Sequence, residues 1–159
     1  MCAWRMKNPG TIVLLGALPV DHSVFNHVAA EFGWTVQSAA TLAELSALQN
    51  LAVVLFSPRH MALPWEQALQ SVLEAAPRAL PILCHTFAET VDWPRAANAG
   101  AFHSLLLPFD AREVRQSLGF AWSAKLRSAT ILKPRRPRLR RIIGRPSRAV
   151  PAQVLAPSA

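Results

Sequence analysis

Cysteine is scarce: Cys2 and Cys84 are the only two in 159 residues. They supply neither the pairs of a disulfide framework nor the C-x-x-C spacing of zinc and redox sites. A reduced, cytoplasmic setting is expected. Long apolar runs are missing too, since none reaches the roughly 18 residues a membrane span requires. No membrane partner is expected. Arg5 and Lys7 followed by TIVLLGALPV imitate the front of a secretory signal. That run is short, however, and no small-x-small cleavage site follows it, so it reads as a first buried strand.

The familiar marks of an enzyme are absent as well. No glycine-rich phosphate loop and no nucleophile elbow appear. Gly16-Ala17 follows an apolar run, as a dinucleotide fingerprint would, but the later glycines of that pattern are not there. An enzyme, a cofactor and a small-molecule substrate are therefore not expected. His60, His85 and His103 have no ligand spacing and read as ordinary surface or core histidines, so no metal site is assigned.

Negative charge is absent from the whole C-terminal stretch. Residues 125–159 hold ten Lys/Arg and no acid, whereas residues 1–124 hold seven Lys/Arg against nine acids. The net charge of +8 therefore belongs to the tail. KPRRPRLRRIIGRPSR (133–148) combines three prolines and a glycine with like charges, so it cannot bury enough apolar surface to offset its ordering entropy. Residues 126–159 read as a disordered, basic, Pro/Arg-rich tail with at best a short helix at 138–143, and no DNA-binding output domain is expected there. Arg135, Arg136, Arg138, Arg140, Arg141, Arg145 and Arg148 are candidates for contacting a polyanion such as nucleic acid. The alternative is a solvated extension, because no aromatic residue lies among them for base stacking.

What is present is alternation. Apolar runs of strand length alternate with segments of helical period over residues 10–125, after an extension at 1–9. This is the pattern of a parallel sheet covered by helices on both faces. TIVLLG (11–16), WTVQSAA (34–40), LAVVLFS (51–57), LPILCHT (80–86) and FHSLLLP (102–108) read as strands. The second is the most polar and suits an edge; the third is the most apolar and suits the centre.

Five helices are expected between and after the strands. Asp21 and Asp92 read as N-caps, while Thr41/Glu44 and Asp110/Glu113 read as capping boxes. Phe25, Val28, Ala29 and Phe32 form one apolar stripe, Leu69, Val72, Leu73 and Ala76 another, and Val114, Leu118, Ala121 and Trp122 a third.

The order of these units, together with PILCHT and then NAGAFHSLLLPFDAREV, resembles the receiver domain of bacterial response regulators. Ala99-Gly100-Ala101 and Pro108-Phe109 match that family's pattern. The resemblance implies a flavodoxin-like, doubly wound five-stranded parallel sheet in the order 2-1-3-4-5 and a cis Leu107-Pro108 bond. It also implies phosphoryl transfer to an aspartate ending the third strand, helped by an acid pair that holds Mg²⁺ and by a lysine. Carried over by position, the acceptor falls on Ser57, the acid pair on Gly16 and Ala17, and the lysine on Leu107. None of these four side chains can do that work, and a shift of one residue restores none of them. Thr86 keeps the position of the family's switch hydroxyl.

The chain therefore reads as a degenerate, or pseudo-, receiver. Its expected function is a phosphorylation-independent signalling module of a two-component (phosphorelay) type system, acting by protein–protein interaction. A sensor kinase, another regulator or a second copy would be the partner. The resemblance implies an interaction face formed by the fourth helix, fifth strand and fifth helix, which here would include Trp93, Arg95, Arg112 and Arg115. The rival is a nucleic-acid-associated protein that binds through its tail.

Overall fold

The computed structural model describes residues 10–16, 18 and 21–131. The expected tail helix at 138–143 and the seven candidate arginines from Arg135 to Arg148 lie outside the described residues. Five parallel strands, β1 (Thr11–Leu15), β2 (Thr35–Ala39), β3 (Leu51–Phe56), β4 (Leu80–His85) and β5 (His103–Leu106), form one sheet in the order β2-β1-β3-β4-β5. This is the expected flavodoxin-like order, with the polar β2 at an edge and β3 in the centre.

Side-chain alternation along the strands builds two cores. Ile12, Leu14, Val53, Leu55 and Ile82 point to one face, against α1 (His22–Glu31) and α6 (Ala111–Ile131). Val13, Leu15, Val54, Phe56 and Leu83 point to the other, against α2 (Leu42–Ala47), α4 (Trp65–Ala75) and α5 (Trp93–Asn98). With both faces covered, every strand residue from Thr11 to Leu15 and from Ala52 to Phe56 is buried. That is why these runs are continuous rather than alternating.

The helix ends follow their local chemistry. Asp21 accepts from the Ser23 N–H at 2.9 Å and Asp92 from the Arg95 N–H at 3.2 Å. Thr41 Oγ1 accepts from the Glu44 N–H at 3.2 Å, and Glu44 reaches back to the Ala40 N–H at 2.7 Å. The second box forms by half: Asp110 accepts from the Arg112 N–H at 2.7 Å, with no bond returned by Glu113 among the described residues. Gly100, in the Ala99-Gly100-Ala101 turn, has φ 110° and would place a Cβ 3.0 Å from Leu73 Cδ1. The motif's glycine is thus required both by backbone conformation and by helix α4 beside it.

Two expectations need correction. The described residues form six helices rather than five, because α3 (Pro58–Met61) follows β3 directly. Pro58 at its first position costs no hydrogen bond. Ala62, in the left-handed conformation at φ 53°, closes it as its N–H and that of Leu63 bond back to the carbonyls of Arg59 and Pro58. The last helix also continues to Ile131, six residues past the expected boundary at Lys125. Its physical reason is the lack of any breaker before Pro134, and Lys125 Nζ anchors it by donating to the Arg78 carbonyl.

Candidate functional site

The carboxyl ends of β3, β4 and β5 lie side by side and turn into loops at one edge of the sheet, where a parallel α/β fold places its sites. Ser57 follows β3, Thr86 follows β4, and Leu107 and Pro108 follow β5. These four line one cavity of about 480 Å³, together with Arg59, His60 and Glu89. The structure thus brings together three of the positions expected to share a site. Gly16 follows β1, with φ 78° and its N–H bonded to the Ala39 carbonyl. It is not among the residues lining this cavity. Ala17 lies outside the described residues.

The polar side chains lining the cavity are those of Ser57, Arg59, His60, Thr86 and Glu89. Ser57 is 1 % exposed, and its Oγ has no hydrogen-bond partner among the described residues. It precedes α3 as the capping residue but makes no side-chain cap bond. Leu107 is buried and joins the core beside Val114 and Leu118, so the lysine position is filled by hydrocarbon. The Leu107-Pro108 bond is cis.

Glu89 contributes the cavity's carboxylate, and that carboxylate is already engaged. Its Oε2 accepts from the Thr86 N–H at 2.7 Å and from the Thr86 hydroxyl at 3.0 Å. Mg²⁺ is held mainly through carboxylate oxygens and keeps several waters. A glycine, a serine and a leucine at the expected positions, with one committed glutamate, do not fit that ion.

Glu89 and Arg59 are not singled out by the sequence, and His60 reads there as an ordinary surface or core histidine. For Glu89 a signal was available: Thr86-Phe-Ala-Glu89 has the T-x-x-E spacing of a capping box, here closing a turn rather than opening a helix. His85 and Arg59 line a neighbouring cavity of about 510 Å³ with Trp65 and Leu63.

His103 stands elsewhere. Its ring lies between Trp93, at 6.2 Å, and Phe120, at 6.1 Å, both edge to face. His60, His85 and His103 therefore do not converge, and no cluster of metal-ligating side chains forms among the described residues. Partial burial depresses the His103 pKa, against a weaker opposing effect of Glu113.

The row Trp93–His103–Phe120 crosses the surface formed by α5, β5 and α6. Arg112 is exposed in the first turn of α6. Arg95 and Arg115 also pair with neighbouring helices. Arg95 lies 3.5 Å from Glu66 on α4 and 5.7 Å from the centre of the Trp65 ring. The Arg115 guanidinium holds Glu31 on α1 through two bonds of 2.9 Å. Spacing along one helix gives no sign of either pairing, and both side chains stay exposed, at 67% and 47%. Phe120, which the sequence does not single out, lies on this surface with His103 and is 52 % exposed.

No helix among the described residues is long and apolar enough to cross a membrane. Neither a protein-family model nor a curated protein matches the sequence. Solved structures do. The signal receiver domain of a putative Luxo repressor protein from Vibrio parahaemolyticus superposes with a TM-score of 0.62 at 12% identity, covering 77% of this chain and 97% of that one. The receiver domain of a sensor histidine kinase from Pseudomonas aeruginosa, with magnesium in its active-site cleft, gives 0.54 at 21% identity over 72% and 98%. A structure described as adenylate cyclase from Rhodopirellula baltica gives 0.58 at 15% identity over 79% and 98%. At these identities the likeness is one of fold, and the chain has the fold of a response-regulator receiver domain.

Proposed function

We propose that this chain is a phosphorylation-independent receiver-like module of a two-component type signalling system, acting in the cytoplasm by protein contact and without catalysis. One observation carries the reading. The edge cavity presents a buried serine, a leucine and a carboxylate tied to Thr86 where phosphoryl transfer needs an aspartate, a lysine and acids for a metal.

The physical argument is electrostatic. A nucleophile attacking a phosphorus that bears several negative oxygens needs cations to neutralise the developing charge. A serine hydroxyl further needs a general base. Contact with a protein partner, a sensor kinase, another regulator or a second copy, is supported by the aromatic row on the α5–β5–α6 surface. Such residues contribute strongly when buried at an interface.

The test is incubation of the purified chain with acetyl phosphate and Mg²⁺, read by intact mass, alongside a Mg²⁺ titration of tryptophan fluorescence. The expected result is no adduct and no saturable response. A stable phosphoryl adduct overturns the reading.

A further inference from the structure

Contact with a protein partner leaves the most charged part of the chain without a role: residues 125–159 hold ten Lys/Arg and no acid. The fold decides where that charge leaves the domain. α6 runs on to Ile131, and Lys125 Nζ donates to the carbonyl of Arg78, which stands in the turn two residues before β4. The basic run therefore starts at the amino-terminal edge of the sheet, whereas the cavity lined by Ser57 and Thr86 lies at the carboxyl-terminal edge. Lys125 is committed as the anchor. Arg78 and Arg127 are exposed, and neither takes part in an ion pair among the described residues. A phosphate meeting them displaces no acid.

Composition selects the partner. Eight of the ten cations are arginines, whose guanidinium holds phosphate oxygens through two parallel bonds. RRPRLRR (135–141) places five of them in seven residues. That density suits a polymer carrying one negative charge per roughly 1.7 Å better than the scattered acids of a protein surface. No Phe, Trp or Tyr occurs after Trp122. This removes both the platforms on which single strands stack their bases and the aromatic anchors of a helix lying in a lipid interface. Duplex phosphates remain, and contacts to them carry no sequence information.

We infer that Arg78 and Arg127, together with the arginine run that follows α6, bind the phosphate backbone of duplex nucleic acid without sequence preference. This adds a second contact to the proposed protein partner, and it does not rest on the loss of phosphoryl chemistry at the opposite edge.

The experiment is a fluorescence-anisotropy titration of the full chain into two labelled DNA duplexes of unrelated sequence, repeated between about 50 and 200 mM NaCl. Equal affinities are expected, with a slope of log affinity against log salt of about −5 or steeper, as for six or more phosphates. An RNA duplex of the first sequence separates the two sources of the same phosphate chemistry. Changing Arg135, Arg136, Arg138, Arg140 and Arg141 together to Gln in the full chain should make the slope shallower by about 4. Arg78→Gln with Arg127→Gln should make it shallower by about one to two. A urea midpoint taken for each variant shows that the loss is read on a folded chain.

A slope shallower than about −2 for both duplex types overturns the inference, as does a preference of more than about tenfold for one sequence. Tighter binding to the separated single strands, or to vesicles of phosphatidylserine and phosphatidylcholine, overturns it as well. An unchanged slope in the Arg78/Arg127 variant removes the sheet edge from the site and overturns the joint surface.

Discussion

Replacing Ser57 by alanine should stabilise this protein, which reverses the usual outcome at a helix-capping serine. A serine that caps a helix loses about 0.5–2 kcal/mol when truncated to alanine, because its oxygen accepts a backbone N–H. Ser57 occupies that position ahead of α3 but makes no cap bond, is 1 % exposed, and leaves its Oγ unpaired among the described residues. A buried donor without a partner costs about 1–3 kcal/mol in lost hydration.

Removing the hydroxyl relieves that cost and leaves a space smaller than a methylene, so a net gain of about 1 kcal/mol is expected. With a urea dependence of about 2 kcal/mol/M, the unfolding midpoint rises by about 0.5 M, and the thermal midpoint by about 4 °C. Urea unfolding followed by circular dichroism at equal protein concentration reads the difference directly. A loss of about 1 kcal/mol in Ser57→Ala would refute the reasoning. It would mean that the hydroxyl is paired in solution.

Leu118, fully buried between α6 and the sheet, should cost about 2–5 kcal/mol when changed to alanine, which the same urea titration measures. Ser57→Asp alone should still take no phosphate from acetyl phosphate and Mg²⁺, since Gly16 and Leu107 supply neither acid nor amine; intact mass checks it. The Arg115 hydrogen bonds hold the Glu31 carboxyl below its ordinary value of 4.5. The pair therefore contributes stability above that value and loses it as pH falls through the lower folded-state pKa. Urea midpoints across acid pH should fall less steeply in Arg115→Gln than in the parent, and parallel curves would refute the pairing.

Much of the scaffold could be read from one strand at a time. TIVLL and LAVVLF are buried on both faces, and their lack of alternation reports that burial directly. Thr41 accepts from the Glu44 N–H three residues on, so that half of the box contains its own partner, while the Glu44 carboxylate accepts from the Ala40 N–H just before it. The turn at Ala99-Gly100-Ala101 is legible for the same reason, although only the structure shows Leu73 standing where a side chain would go.

Partners on distant elements left no sign in the sequence. The family resemblance places Arg95 and Arg115 on an interaction face; the fold adds the pairing of one with Glu66 on α4 and of the other with Glu31 on α1, and it brings His103 and Phe120 together on the surface. The short helix α3 was missed because Ser57-Pro58 reads first as a strand end, although proline is well suited to a helix start.

The sequence by itself determined the run of strands and helices and the residues of the cores, which depend on periodicity and residue identity and so are local. The sheet order and the positions to compare with a phosphorylation site came with the family resemblance. Tertiary structure alone decided which polar groups find one another. It binds Glu89 to Thr86, turns both arginines toward neighbouring helices, and leaves the Ser57 hydroxyl enclosed. Hydrogen bonds and desolvation depend on separations of a few ångströms between residues far apart in the chain, and only folding sets those distances.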